Sequence, residues 1–241
     1  MRKFLLILGF ALLLALSPAL AQAQTAADKE FAGDMSFARN NINAYWASQF
    51  KSWKLVYRPP ANVVGYSTAF RSKACGYIPT NNAGYCGSNN IIYYDVNFLK
   101  RYYRTVGDFA PVLVLAHEWG HLVQLNLLRD GYDPTYSGYR VIEYNLYLEL
   151  QADCFAGAWT QHSKQIGWLE AGDLDEATIS LYGAGDEEAM PWFDPAAHGQ
   201  PGQRVDAFIA GYDGGPLACL KLAACSRSSP CSTSIPWSSL R

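Results

Sequence analysis

Four histidines occur in the 241-residue chain, at positions 117, 121, 162 and 198, and the first two fall within one five-residue window. That window reads His117-Glu118-Trp119-Gly120-His121, the spacing H-E-x-x-H. On a helix, residues i and i+4 point the same way, so both imidazoles can reach one metal ion. Two neutral imidazoles hold Zn²⁺ without cancelling its charge. Glu118, one step round the helix, can take a proton from water as that water attacks a carbonyl. The chemistry implied is metal-assisted hydrolysis, with His117 and His121 as ligands and Glu118 as general base.

A catalytic zinc site takes three protein ligands and keeps one position open. The longer pattern H-E-x-x-H-x-x-G-x-x-H fails, because Gln124 and Leu127 stand where glycine and histidine are needed. The alternative source is a carboxylate from a later helix. Glu149-Leu150-Gln151-Ala152-Asp153 supplies two, at i and i+4, on one helix face. One can ligate the metal while the other orients a ligand histidine. Glu143 competes for the third position but lies on nearly the opposite face from Glu149. Leu148, Leu150, Ala152, Cys154 and Phe155 surround the pair and argue for burial, where a carboxylate needs a partner.

These ligands need a scaffold. Apolar spacing predicts an amphipathic helix over 37–50, carrying Phe37, Ile42, Trp46 and Phe50. Short strands are expected at 55–57, 63–70 and 89–95, then a short helix over 95–103. Residues 109–128 form the clearest element, a helix with Pro111 in its first turn and apolar residues on most faces. Further helices are expected over 139–164, over 173–181 with Asp173 as N-cap, and over 201–209.

Arg2 and Lys3, an apolar run over 4–16 and Ala21-Gln22-Ala23 have the order of a secretory signal peptide over 1–23. The run of about 13 residues is short for a membrane span. No stable span is therefore expected after leader cleavage, and the location expected is secreted or periplasmic. Export permits disulfides. Cys75 and Cys86 bracket one loop, and Cys225 and Cys231 flank a Ser-rich turn. Pairing those leaves Cys154 with Cys219, one arrangement among 15. The expected organisation is a flexible lead-in over 24–36, one domain over 37–218 and a cysteine-containing tail over 219–241. With 19 basic against 21 acidic residues, neither a dominant nucleic-acid surface nor a nucleic-acid partner is expected.

The segments H117-E-W-G-H121-L-V-Q124 and E149-L-Q-A-D153-C-F-A-G-A-W159 resemble the neutral zinc metallopeptidases, a bacterial family. Cys75–Cys86 followed by Ile91-Ile-Tyr-Tyr-Asp95 is similar to that family's cysteine-bracketed loop and strand. His198-Gly-Gln-Pro-Gly-Gln-Arg204 is similar to its closing H-G-x-x-x-Q-R segment. The E-x-x-A-D arrangement also resembles gluzincin peptidases. The resemblance implies zinc as cofactor, Glu149 as third ligand, Asp153 as the supporting carboxylate and a protein or peptide substrate. It implies an α+β fold, a predominantly helical zincin-like domain with a small N-terminal sheet. His198, if near the site, could stabilise an oxyanion as a second catalytic residue. The competing reading makes His198 and Arg204 structural. Gln200, Gln203, Tyr136, Tyr139 and Tyr144 carry no firm role, and His162 is expected at the surface or at a helix end. Two rival functions share these ligands: a zinc-binding envelope protein without proteolysis, and a zinc amidase acting on cell-wall peptide.

Overall fold

The computed structural model describes residues 2–130, 145–186, 194 and 197–222, with side chains over 25–130, 146–186, 194 and 197–220. Glu143, Tyr136, Tyr139, Tyr144 and the Cys225–Cys231 pair lie outside the described residues. The architecture is α+β, with a small mixed sheet ahead of a mainly helical core.

Helix α1 spans Arg2–Ser52 and crosses the stretch expected to be a flexible lead-in. The correction has a visible cause. Phe31, Met35, Ala38, Ile42, Trp46 and Phe50 form one buried stripe at helical spacing. The stripe thus begins before residue 37, and residues 25–36 belong to the domain. Phe37 itself lies off the stripe, exposed, with its ring stacked 4.6 Å from Trp168.

Residues 55–57 are not a strand. Leu55 N turns back to Phe50 O at 2.9 Å, and two following backbone donors go to side chains. Val56 N donates to Asp130 Oδ2 at 2.8 Å and Arg58 N to Asn126 Oδ1 at 2.7 Å. Strand β1 (Asn62–Tyr66) then pairs parallel with β5 (Ile91–Asp95), and β4 (Ala83–Cys86) pairs antiparallel with β5 on its other side. The order β1-β5-β4 leaves β4 at an edge. Strands β2 (Phe70–Ser72) and β3 (Gly76–Ile78) form a separate hairpin. The Cys75–Cys86 disulfide ties the end of β4 to this hairpin. Asp95 joins sheet to helix. Its Oδ1 accepts from Asn97 N and Phe98 N at the start of α2 (Val96–Thr105), and its Oδ2 accepts from Asn81 N just before β4.

Helix α3 (Phe109–Arg129) is the hub and is buried along most of its length. Its neighbour α4 (Asn145–Gln165) comes very close at Gly120, where a Cβ would lie 2.7 Å from Ala152 Cα. Only glycine fits between His117 and His121 at that spacing. Helices α5 (Asp173–Gly183), α6 (Pro201–Gly214) and α7 (Pro216–Leu222) close the core. Gly172, not Asp173, occupies the N-cap position of α5, with a left-handed backbone that suits glycine. Cys219 sits inside α7, buried and bonded to Cys154. The C-terminal tail therefore does not begin at 219, and the fold continues through Leu222. Among the described residues, no helix is long and apolar enough to cross a membrane.

Candidate metal centre

The i,i+4 spacing on α3 sets the two imidazole rings edge to face, with centroids 4.8 Å apart. Their Nε2 atoms are 3.2 Å apart. Helix α4 brings Glu149 against them, with 3.2 Å from Oε2 to His117 Nε2 and 3.5 Å from Oε1 to His121 Nε2. A tetrahedral ion with bonds of about 2.05 Å has ligand–ligand edges of about 3.3 Å. The two nitrogens meet that size directly, and the two oxygens of Glu149 each lie at that order of distance from one ring, so the donor set fits Zn²⁺ in kind and lies close enough to share one ion.

The other ring nitrogens are held from behind. His117 Nδ1 lies 2.7 Å from Asp153 Oδ1, and His121 Nδ1 lies 3.0 Å from Gln124 Oε1. Both partners are acceptors at those atoms, so in the neutral rings each Nδ1 carries the proton and each Nε2 keeps its lone pair for a metal. Asp153 is itself clamped by Arg204, whose Nε and Nη2 donate to its two oxygens at 2.8 and 2.9 Å. Arg204 Nη1 also donates to Ala184 O at 2.9 Å. Arg204 thus reaches the ligand sphere through Asp153, a role that its placement in the H-G-x-x-x-Q-R segment did not disclose.

Charge balance adds a second test of fit. Glu118, Glu149 and Asp153 are buried beside one buried cation, Arg204. Three carboxylates against one guanidinium leave two negative charges when both histidines are neutral. Buried charge of that size calls for a compensating cation. Without a metal, the site turns to protons. Burial disfavours charge on His117, but the charge and hydrogen bond of Asp153, with Glu149 beside it, push the imidazole up to about 10. Burial also opposes ionisation of Glu149, yet the neighbouring His121, His117 and His198 hold its carboxyl well below the usual range. Asp153 is held low against its burial by Arg204 and His117.

The three donors open onto a cleft of about 470 Å³. Glu118 and His198 both line it, as do Asn81 to Tyr85 at the β4 edge. His198 is about half exposed, with its Nδ1 3.5 Å from Asp186 Oδ1 and its backbone N donating to Asp186 Oδ2 at 2.6 Å. Gln203 is used locally: its Oε1 accepts from Gln200 N at the start of α6. His162 is away from the cleft and stacks 5.0 Å from Tyr45. The residues between the ligands are fixed by packing. Trp119 Nε1 donates to Tyr57 Oη at 2.9 Å, and Gly120 admits α4.

The model of a family described as "Putative neutral zinc metallopeptidase" matches residues 12–222. The uncharacterized protein YpfJ of Escherichia coli K12 is 32% identical over 191 residues, covering 72% of this chain and 65% of that protein. The uncharacterized protein Rv2575 of Mycobacterium tuberculosis H37Rv is 30% identical over 163 residues, covering 56% of this chain and 53% of its own length. The chain therefore spans just under two thirds of the first relative and about half of the second. No solved structure matches it.

Proposed function

The chain belongs to the neutral zinc metallopeptidase family, and on that premise we propose that it is a zinc-dependent peptidase acting on peptide bonds outside the cytoplasm. One observation carries the reading: a three-donor set faces an open cleft that also contains a carboxylate outside the set, Glu118. A structural zinc site closes with four protein ligands and has no use for a general base.

His117, His121 and Glu149 would hold the ion, which when bound supplies Lewis acidity to a carbonyl and makes water a stronger acid. Glu118 accepts the proton of the attacking water and returns it to the leaving amine. His198, steadied by Asp186, stands at the cleft wall as a donor to the developing oxyanion. Asp153 and Arg204 keep the His117 ring in the tautomer that offers Nε2. The free edge of β4 along the cleft suits an extended peptide, whose backbone could pair there as an added strand. The disulfides Cys75–Cys86 and Cys154–Cys219 support an oxidising location, secreted or periplasmic.

Glu118→Gln tests the mechanism. Zinc content should stay at the parent level while peptide cleavage falls about 10³-fold, within the range of general-base losses. A peptide library digested with and without chelator, read by mass spectrometry, supplies the activity. Cleavage unaffected by chelator or by Glu118→Gln would sink the proposal. Cleavage confined to added cell-wall peptides would redirect it to an amidase.

A further inference from the structure

The hydrogen bond behind His121 does not end at Gln124. Gln124 Nε2 donates to Leu148 O at 2.7 Å and to Gln151 Oε1 at 3.1 Å. Two acceptors on the nitrogen side fix the amide so that Oε1 faces His121. Gln151 is fully buried, and its Nε2 donates to Cys219 O at 3.1 Å. A flipped Gln151 amide would set oxygen against oxygen at Cys219. The Cys219 carbonyl is in turn placed by the bond from Cys219 to Cys154, three residues beyond Gln151 on α4. The polarity runs one way throughout: the carbonyl orients the Gln151 amide, that amide orients Gln124, and Gln124 selects the His121 tautomer.

We propose that Gln124 and Gln151 are positioning residues acting in series on His121, and that they make metal affinity depend on the Cys154–Cys219 bond some way behind the site. The inference rests on His121 being a zinc ligand. A buried primary amide costs desolvation unless all its groups are met, and apolar residues of similar volume would pack as well. His117 shows the same logic in a stronger form, with Asp153 and Arg204 behind it. The two ligand histidines are therefore braced from different elements, one through α6 and the other through α7.

The test measures zinc dissociation constants by chelator competition, with the absorption spectrum of the cobalt-substituted protein as a second readout. Neither depends on cleavage. Gln124→Met should weaken zinc binding about 10-fold or more, as loss of a ligand's supporting hydrogen bond does. Gln151→Met should weaken it by a smaller factor and shift the cobalt spectrum in the same direction. The double variant should bind no worse than Gln124→Met alone, because the residues act in series. Replacing Cys154 and Cys219 together by alanine should mimic Gln151→Met and add nothing to it. Thr160→Val removes a buried hydrogen bond on the same helix, far from the site, and should leave both readouts unchanged. Gln151→Leu replaces Gln151→Met should the latter not fold. Zinc affinity within twofold of the parent in the Gln151 variant, or losses that multiply in the double variant, would overturn the series. Unchanged affinity in His121→Ala would instead remove the ligand assignment beneath it. An intact series in a protein that cleaves nothing would leave this inference standing and remove the proposed activity.

Discussion

Two groups of three candidate ligands bring their donor atoms within 4.8 Å among the described residues. One is His117, His121 and Glu149 in the cleft. The other is Asp108, Asp173 and Glu176, where α3 and α5 begin. Proximity alone does not separate them, but the use of each oxygen does. Glu176 Oε2 accepts from Phe109 N at 2.9 Å, at the first turn of α3, and Asp173 Oδ2 accepts from Glu170 N at 2.7 Å. Glu176 thus serves the start of α3, where backbone N–H groups lack partners and negative charge is favoured, and Asp173 serves the loop that leads into α5. In the cleft, the outward nitrogens are tied to Asp153 and Gln124, which frees the inward donors to face one another. A metal centre is recognised by what stands behind its ligands.

Arg204→Met strikes the bracing of the first cluster and should have the largest effect on stability. It strands the fully buried Asp153 carboxylate, at a cost of about 3–5 kcal/mol. Thermal unfolding should drop by roughly 10 °C. A drop of only a degree or two would mean that Asp153 finds another partner. Next, Glu149→Gln should weaken zinc binding about 100-fold, about 2.7 kcal/mol, whereas Glu176→Gln should leave zinc stoichiometry and affinity unchanged. Isothermal titration of both proteins reads the contrast directly. Equal losses would erase the distinction drawn between the clusters.

The smallest effect concerns charge in the acidic cluster. Asp34, Asp173 and Glu176 all have raised carboxyl pKa values, chiefly from burial, with repulsion from Asp108 added. A raised carboxyl pKa means that the folded state binds the proton more tightly than the unfolded chain does. The contribution is therefore favourable below the folded pKa and is lost as pH rises through it. Stability should climb on acidification from neutral pH towards the raised values. Asp108→Asn should flatten that slope and raise the midpoint by about 2 °C at pH 7, a surface-scale effect. Denaturation scans at several pH values would show it, and a steeper slope in the variant would contradict it.

The sequence disclosed the two clusters unequally. His117, Glu118 and His121 are legible because their relation is local, one turn of one helix. Glu149 and Asp153 are legible because i,i+4 carboxylates amid apolar neighbours ask for a reason. Gln124, Gln151 and Arg204 are not, because periodicity reports burial and not partners. Gln124 meets Gln151 across 27 residues, and Arg204 meets Asp153 across 51. The strands β3 and β4 were hidden for a related reason. They are three and four residues long, rich in glycine and inside a cysteine loop, and β4 is a strand only by pairing with β5. The early start of α1 was masked by polar residues around Asp28 and Glu30, although Phe31 and Met35 continue the apolar stripe.

Gly120 has a consequence for the order of assembly. The histidine pair belongs to α3 alone, so a newly formed helix already displays two imidazoles before any tertiary contact exists. The third donor arrives only when Ala152 seats against Gly120 and brings Glu149 over the pair. A side chain at position 120 would leave the histidines in place and keep the carboxylate at a distance. Metal captured early would then meet a weak two-donor site, and only the docking of α4 would convert it to a tight one. Completion of the ligand set would thus report that α3 and α4 have packed, so metal retention would serve as a readout of correct folding.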